Sequence, residues 1–561
     1  MRNERRFMLI SMLILYLIAL IIRWIPLFFS HLPYNIDGFS MAGVSDGIIS
    51  TGHWTLDSRM YGVAYNQKTP FFPLILSEFS LVTGIQPLFV VQYMLPFITA
   101  SIPPFFFYFA SRLTKNSIAS ITAALFLAFN GLFSFLTGSI MKESLGLLLI
   151  PIALYLYIGR KDTKKRLLLS LVLVFITFVH YRSTLMVQLF LVLLISWETV
   201  RDFNAGRLRL RSFLMDIAGI PLIGLLSLLY FSMVSMQDYY GRAFNINEMA
   251  LFLSVAFIWL LIYLRFMKSS AHATDRSLLR YLMDWKFLVL LIGLGAFLLN
   301  SRKLIFEGTI TTSPALIHAA IPYIILLIIS ISGLSIMQRY RNDYFPLVVA
   351  IYVGTLIPMT YSVVRGLDAF SQEILYRSYN FMDFATAISL GIAVAFIYAA
   401  VKSHFFSDAR HSIRVGVPAL LAIFAVLVVL LAATVPLGYD TVELFGVQNV
   451  TYEYEVSAMD WAKTANCSVV GTDQRLGDIM RDYNNLSHTS SIPLNLKYNR
   501  PVNLRFILLE GSWKTWGAQM YPSSPIKVNS HAFSSLINHR SLIFSSGHPD
   551  APEGQVYVLM G

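Results

Sequence analysis

Thirteen apolar stretches, each flanked by charge, occupy the chain from Phe7 to about Leu437 and leave little choice of fold. Stretches such as 7–29 and 415–437 are long enough to cross a hydrocarbon core of roughly 30 Å. Because a backbone inside lipid must satisfy its own hydrogen bonds, each crossing is predicted to be an α-helix. Hydrophobic residues make up 56% of the chain and charged residues only 13%, which is typical of an all-α polytopic membrane protein.

The sides of the membrane follow from the positions of Lys and Arg. The predicted crossings lie at 7–29, 87–110, 118–136, 144–158, 167–181, 184–197, 213–234, 249–267, 287–300, 315–337, 345–361, 381–401 and 415–437. Arg2, Arg5 and Arg6 place the N-terminus in the cytoplasm, so an odd number of crossings places the tail outside the plasma membrane. The net charge of +12 is spread over short loops, which indicates anionic membrane lipid and not nucleic acid as the partner.

Two domains are predicted: a transmembrane domain at 1–437 and a small extracytoplasmic α/β domain at 438–561. The first outer loop, 30–86, is long for a compact bundle, which suggests a function. It is predicted to hold an amphipathic surface helix at 39–50 and a re-entrant or interfacial helix at 70–82. The predicted tail elements are helices at 455–463 and 476–483 and strands at 468–471, 504–509, 542–544 and 556–559.

Charged residues at the outer membrane edge are the strongest functional signal, because each costs free energy unless it faces a wet cavity or a partner. They are Asp37, Lys142, Glu143, His180, Arg182, Arg302, Lys303, Arg365 and Arg377. A carboxylate among cations, open to lipid, suits transfer from a lipid phosphate: the acid deprotonates an acceptor and the cations stabilise the departing phosphate. Arginine is suited to phosphate because its planar fork offers paired donors.

Each of these residues also has a structural interpretation. Asp37 could cap the helix that follows it. Glu143 could favour the positive end of a helix dipole. Arg182 could reach headgroups from the tight connection 180–183, and Arg377 could anchor an interface with its neighbouring tyrosines.

The layout resembles the GT-C superfamily of polyprenyl-phosphate-dependent glycosyltransferases: thirteen crossings, Asp37 soon after the first helix, Glu143 at the start of the fourth, and an outer α/β tail. The segments 458–461 and 469–473 are similar to the start of the tail of the oligosaccharyltransferase catalytic subunit. Its WWDYG motif is missing here, so recognition of a sequon is not predicted. Lys142-Glu143 and the His-Tyr-Arg-Ser run at 180–183 are similar to archaeal membrane glycosyltransferases of the protein-mannosyltransferase group.

The resemblance implies roles for the candidate residues. Asp37 would be the catalytic base or a metal-contacting acid, and Glu143 a second acidic group; Asp46 is a further acidic candidate. The candidate contacts for the donor phosphate are Lys142, His180, Arg182, Arg365 and Arg377. A divalent cation such as Mg or Mn is expected only if Asp37 and Glu143 converge.

The expected reaction is inverting transfer of a sugar from a polyprenyl-phosphate-linked donor to a glycan, lipid or protein acceptor at the outer surface. Two other functions stay open from the sequence. A lipid-linked glycan flippase or transporter also needs cations for phosphate and many helices. A non-catalytic membrane scaffold for glycan assembly is favoured if the edge charges point in unrelated directions.

Overall fold

The computed structural model of the chain describes residues 2–55, 68–234, 246–270, 285–303, 312–340, 343–366, 369–405, 409–520, 523–547 and 554–561. A bundle of apolar helices is followed by a small domain with a β-sheet, so the predicted fold class is confirmed. The predicted first outer loop includes residues 56–67, which lie outside the described ranges.

Each predicted crossing overlaps a helix. The helices of the bundle are Arg2–Arg23, Pro87–Thr99, Ile102–Thr114, Ser117–Phe129, Gly131–Gly138, Ser144–Ile158, Thr163–Val179, Tyr181–Asn204, Leu210–Gly219, Pro221–Met233, Ile246–Ser270, Trp285–Leu299, Pro314–Arg339, Phe345–Arg365, Ala369–Phe405 and Ala409–Ala432. Within the described ranges, nine helical segments are long and apolar enough to cross a membrane, or ten if one bent pair counts as a single span. The number of crossings and the side of each loop stay predictions.

The helix Ala369–Phe405 is the centre of the bundle, packed against Ser117–Phe129, Pro314–Arg339 and Phe345–Arg365. At Gly391 a Cβ would lie 2.2 Å from the carbonyl oxygen of Ala119, so only glycine allows the two backbones to meet there. With 37 residues this helix is about 55 Å long, well beyond a core of roughly 30 Å. Its first turns therefore project past the predicted crossing.

The loop 30–86 contains the helices Ile36–Thr51 and Phe71–Thr83 at the predicted places. The amphipathic surface position predicted for the first of them is wrong. Phe39 packs into the apolar core of the C-terminal domain, while Met41 packs into the core of the membrane bundle. The helix is buried from both sides because it lies between the two domains.

The C-terminal domain contains two β-sheets. The strands are β1 Val469–Gly471, β2 Ser487–Thr489, β3 Phe506–Glu510, β4 Ala518–Met520, β5 Ser523–Ile526, β6 Ser541–Ser546 and β7 Val556–Met560. One sheet has five strands in the order β2-β1-β3-β7-β6, and the other consists of β4 and β5. Strand β1 runs parallel to β2 and β3, whereas β7 is antiparallel to β3 and β6. The short strands β2, β4 and β5 escaped prediction because three or four residues are too few to show a clear alternation.

The helices predicted at 455–463 and 476–483 lie close to their predicted positions, whereas the other helices of this domain were not predicted. The helices of the domain are Pro436–Tyr439, Thr441–Phe445, Glu453–Thr464, Gln474–Ile479, the π-helix Met480–Asn484, Ile492–Lys497 and Ser530–Asn538. The helix Glu453–Thr464 packs against β6 and β7. The segment 474–484 packs instead on the first-loop helix Ile36–Thr51, where a Cβ at Gly43 would lie 2.3 Å from the carbonyl oxygen of Asp482. The two domains are therefore in direct backbone contact.

Candidate active site at the junction of the two domains

The turn 139–143 delivers two of the predicted site residues. Before it, the helices Ser117–Phe129 and Gly131–Gly138 meet at Asn130 with a bend of 61°, and the Asn130 side chain accepts a hydrogen bond from the Leu132 N–H. Within the turn, Ile140 is fully buried and has φ of 56°, a conformation that is costly for a β-branched residue. The strained turn holds Lys142 and Glu143 at the start of the helix Ser144–Ile158.

Asp37 does not cap the helix that it begins. The N-cap of Ile36–Thr51 is Asn35, whose side-chain oxygen accepts from the Asp37 N–H at 3.0 Å, so the capping interpretation is wrong. The Asp37 carboxylate lies 3.4 Å from the Lys142 ammonium, with 15% of its side chain exposed. This approach requires Gly38, because a Cβ there would lie 2.9 Å from Ile140 Cγ2.

Glu143 is completely buried between two guanidinium groups. One of its oxygens lies 3.8 Å from Arg182 Nη1 and 3.8 Å from Arg377 Nη1. Burial raises the pKa of the Glu143 carboxyl, and the two arginines oppose that shift. Neither oxygen has a hydrogen-bond donor within the described part of the chain. Glu143 stands at the N-cap position without a side-chain capping bond, so its electrostatic contacts are with the arginines.

His180 supplies a buried donor beside these charges. It caps the helix Tyr181–Asn204, with Nδ1 accepting from the Ser183 N–H at 3.4 Å, which assigns the proton to Nε2. Among the residues that the structure describes, none accepts a hydrogen bond from Nε2.

A carboxylate that sequence reasoning missed completes the cluster. Glu373 accepts a hydrogen bond from Arg182 Nη2 at 3.3 Å and lies 3.5 Å from Arg377 Nε, one helical turn away. The i,i+4 spacing of Glu373 and Arg377 was the available signal. The structure thus brings together Asp37, Lys142, Glu143, His180, Arg182, Arg377 and Glu373. The individual roles given to the predicted residues stay predictions.

The other candidates have different neighbours. Arg365 donates to Glu248 at 3.2 Å and to Ser371 at 2.9 Å. Arg302 and Lys303 are exposed after the helix Trp285–Leu299. Asp46 follows Asp37 by nine residues, about half a turn around the helix, and therefore points away from it.

Asp46 faces the C-terminal domain. Burial raises the pKa of Asp46 to about 6, with the charge of Lys463 opposing that shift. Burial raises the pKa of Tyr483 to about 12, and the charge of Asp46 adds to that shift. Both neighbours belong to the C-terminal domain, so the two acids of the helix Ile36–Thr51 have separate surroundings.

The C-terminal domain covers the cluster with a charged segment. Arg481 pairs with Asp478 at 2.9 Å and with Asp482 at 2.7 Å. Burial raises the pKa of Asp482 to about 6, while Arg481 and the charge of Lys142 oppose it. Burial also raises the pKa of Asp478; the charge of Lys142 opposes that shift, and the charge of Asp37 adds to it. The site is therefore assembled from the first loop, the bundle and the tail.

The residues of the cluster do not suit a divalent cation. Within the described ranges, no group of three or more His, Cys, Asp or Glu side chains is arranged to hold a metal ion. Asp37 pairs with Lys142, and Glu143 lies between two arginines, so a divalent ion at either acid would meet fixed positive charge. The divalent cation stays a prediction.

One acidic residue within the membrane bundle was also missed. Asp383 is 1% exposed and accepts a hydrogen bond from the Tyr323 hydroxyl at 3.3 Å; that hydroxyl also contacts the hydroxyl of Tyr379. Buried acids are rare in membrane helices and need such partners. Asp383 lies six residues after Arg377, about 9 Å further along the same helix.

Comparisons with known proteins give a distant structural likeness. No family model matches the chain, and no curated protein matches it. The chain is similar to crystal structures of ArnT from Cupriavidus metallidurans, one bound to undecaprenyl phosphate, with a TM-score of 0.46, and one in the apo state, with a TM-score of 0.43. In both cases the identity is 12% and the match covers 97% of this chain and 97% of that chain. Likeness at this level carries no argument about activity.

Proposed function

We propose that the chain is an inverting GT-C-type glycosyltransferase that moves a sugar from a polyprenyl-phosphate donor to an acceptor hydroxyl at the outer face of the membrane. The observation that supports this is the meeting of a partly exposed carboxylate, Asp37, with buried cations and unpartnered donors. These groups come from segments more than 300 residues apart in the chain. A membrane protein has little structural reason to gather so many charges at one place.

The buried donors suit the phosphate of the donor lipid. Arg182 Nη1 and His180 Nε2 are buried nitrogens without a hydrogen-bond partner in the described part of the chain. Each can donate to a phosphate oxygen, and Arg377 adds a second guanidinium next to them. The polyprenyl chain would lie between the bundle helices, with its sugar directed toward Asp37 and the C-terminal domain.

The reaction is a displacement at the anomeric carbon. The acceptor hydroxyl gives its proton to Asp37, and its oxygen attacks the anomeric carbon from the side opposite the phosphate. The bond between that carbon and the phosphate oxygen breaks, and its electron pair leaves with the phosphate. The phosphodiester, with one negative charge, becomes a phosphomonoester with two.

The pairing of Asp37 with Lys142 serves this change in charge. When Asp37 takes the proton it loses its negative charge, while the Lys142 ammonium keeps its positive charge. The cluster therefore gains one net positive charge as the phosphate gains one negative charge. Such a matched change stabilises the transition state without movement of the backbone.

The direct test is incubation of the purified protein with defined polyprenyl-phosphate sugars and an acceptor panel, measuring donor consumption and the anomeric configuration of the product. Asp37→Asn should lower transfer by about 10²- to 10⁴-fold while the melting temperature stays unchanged. Asp46→Asn is the matched control, since it makes the same substitution on the other face of the same helix. It should retain transfer.

Two results would contradict the proposal. Transfer by Asp37→Asn at the wild-type rate would remove Asp37 from the reaction. Movement of the donor across a vesicle membrane without its consumption would instead favour the transporter.

A further inference from the structure

The two arginines of the site are already engaged by a carboxylate that the proposed reaction does not use. Glu373 contacts Arg182 at 3.3 Å and Arg377 at 3.5 Å. Its side chain is 22% exposed, compared with 4% for Arg182 and none for Glu143. Glu373 therefore lies on the accessible side of the arginines, and Glu143 lies on their closed side.

The charges of the cluster balance before any ligand binds. Among the described residues, the cations Lys142, Arg182 and Arg377 contact the carboxylates of Asp37, Glu143 and Glu373. An arginine has five N–H donors in a fixed fork, so the faces that Glu373 occupies cannot bind a phosphate at the same time. A phosphate that is to bind Arg182 Nη2 and Arg377 Nε, in addition to the donors without a partner, has to replace Glu373.

Glu373 is the carboxylate that can leave. Glu143 is fully buried, and Asp37 contacts Lys142 instead of the guanidinium groups of Arg182 and Arg377. Glu373 lies in the second turn of the helix Ala369–Phe405, before the predicted crossing 381–401, and 22% of its side chain is exposed. Rotation of this side chain alone would remove Glu373 from both guanidinium groups and leave them only with Glu143 among these carboxylates.

We infer that Glu373 is a placeholder for the donor phosphate: it orients Arg182 and Arg377 while the site is empty and is displaced when the phosphate binds. This inference rests on the proposed function and adds a positioning residue to it. Donor affinity is then reduced, because the ion pairs of Glu373 with Arg182 and Arg377 must break before the phosphate binds. After transfer, the returning carboxylate competes with the phosphomonoester for the same forks and so promotes product release.

The test measures binding of a short-chain polyprenyl monophosphate to the full chain in lipid nanodiscs by calorimetry. Glu373→Gln keeps the shape of the side chain and removes its charge, so binding should tighten about tenfold or more. In steady-state transfer the same variant should show a lower donor KM and a lower kcat, because product release becomes slower.

Glu248→Gln is the matched control. Glu248 lies 3.2 Å from Arg365 with 24% of its side chain exposed, so the variant removes a comparable ion pair elsewhere. Its affinity for the probe should equal that of the wild type. If binding of the probe tightened by the same factor in Glu248→Gln, the inference would be overturned, because the effect would not depend on the guanidinium groups of Arg182 and Arg377.

Unchanged or weaker binding by Glu373→Gln, with measurable binding by the wild type, would also overturn it. If Glu373→Gln fails to fold, Glu373→Asp is the second variant, because it withdraws the carboxylate by one methylene. Binding of the probe by Glu373→Asp should tighten to a smaller degree. Wild-type affinity in Glu373→Asp would contradict the placeholder. No binding of the probe by the wild-type protein would overturn the proposed function and the placeholder together. Intact transfer with no effect at Glu373 would overturn the placeholder alone.

Discussion

Gly146 lies at the contact between two helices that carry the site. A Cβ at this position would lie 2.1 Å from the Ser183 hydroxyl oxygen and 2.6 Å from its Cβ. Ordinary contacts need more than 3.4 Å, so Gly146→Ala must separate the helices Ser144–Ile158 and Tyr181–Asn204 by about 1 Å. Overpacking of this kind costs about 1–3 kcal/mol of folding free energy. Since Glu143 and His180 border this contact, a shift of about 1 Å should also lower transfer by about 10²-fold.

The assay pairs thermal unfolding with the rate of sugar transfer. Gly293→Ala is the control: it makes the same substitution inside the helix Trp285–Leu299, where no described atom lies within 4 Å of the new Cβ. It should change stability by no more than about 1 kcal/mol, in the stabilising direction. The double variant Gly146→Ala/Ser183→Gly moves the Cβ from one helix to the other and should recover most of the lost stability.

Equal melting temperatures and equal rates for Gly146→Ala and Gly293→Ala would refute the packing argument. A double variant that stays as unstable as Gly146→Ala would show that the clash with Ser183 is not the cause of the loss.

The C-terminal domain gives two further predictions. Arg475 is fully buried between Glu455 and Glu510, so Arg475→Leu should lower the free energy of unfolding by about 3–5 kcal/mol in urea titrations, whereas Arg500→Leu at an exposed position should change it by less than about 0.5 kcal/mol. Burial raises the pKa of Glu455 to about 8, and Glu510 adds to the shift against Arg475. The folded state therefore holds a proton that the unfolded state has lost, and stability falls by up to about 1.4 kcal/mol per pH unit as pH rises toward 8. The melting temperature should drop between pH 6.5 and 8, and a slope that persists in Glu455→Gln would contradict this assignment.

The helices of the bundle were predictable because a stretch of about twenty apolar residues is long enough to span a membrane. The convergence of Asp37, Glu143 and Arg377 was an expectation from topology, since a consistent count of crossings places them on one side. Their contacts were not predictable. The partner of Asp37 is more than 100 residues away, and its approach depends on Gly38 and on the strained Ile140.

Two errors have physical causes. Hydropathy locates the part of a helix that lies in lipid, so the predicted crossing began at 381 although the helix begins at Ala369, and Glu373 was overlooked. The helix Ile36–Thr51 was assigned to the membrane surface because its apolar face needed cover. That cover comes from residues such as Met480, more than 400 positions later, which no local pattern reveals.

The contact between the helix Ile36–Thr51 and the C-terminal domain has a consequence for biosynthesis. Its backbone at Gly43 rests on the carbonyl of Asp482, so the support for Asp37 is synthesised more than 400 residues after Asp37 itself. A nascent chain that ends before Asp482 already has its bundle helices but lacks the support that holds Asp37 against Lys142. Under the proposed function, transfer should therefore begin only after the segment around Asp482 has been synthesised and has folded onto the helix Ile36–Thr51.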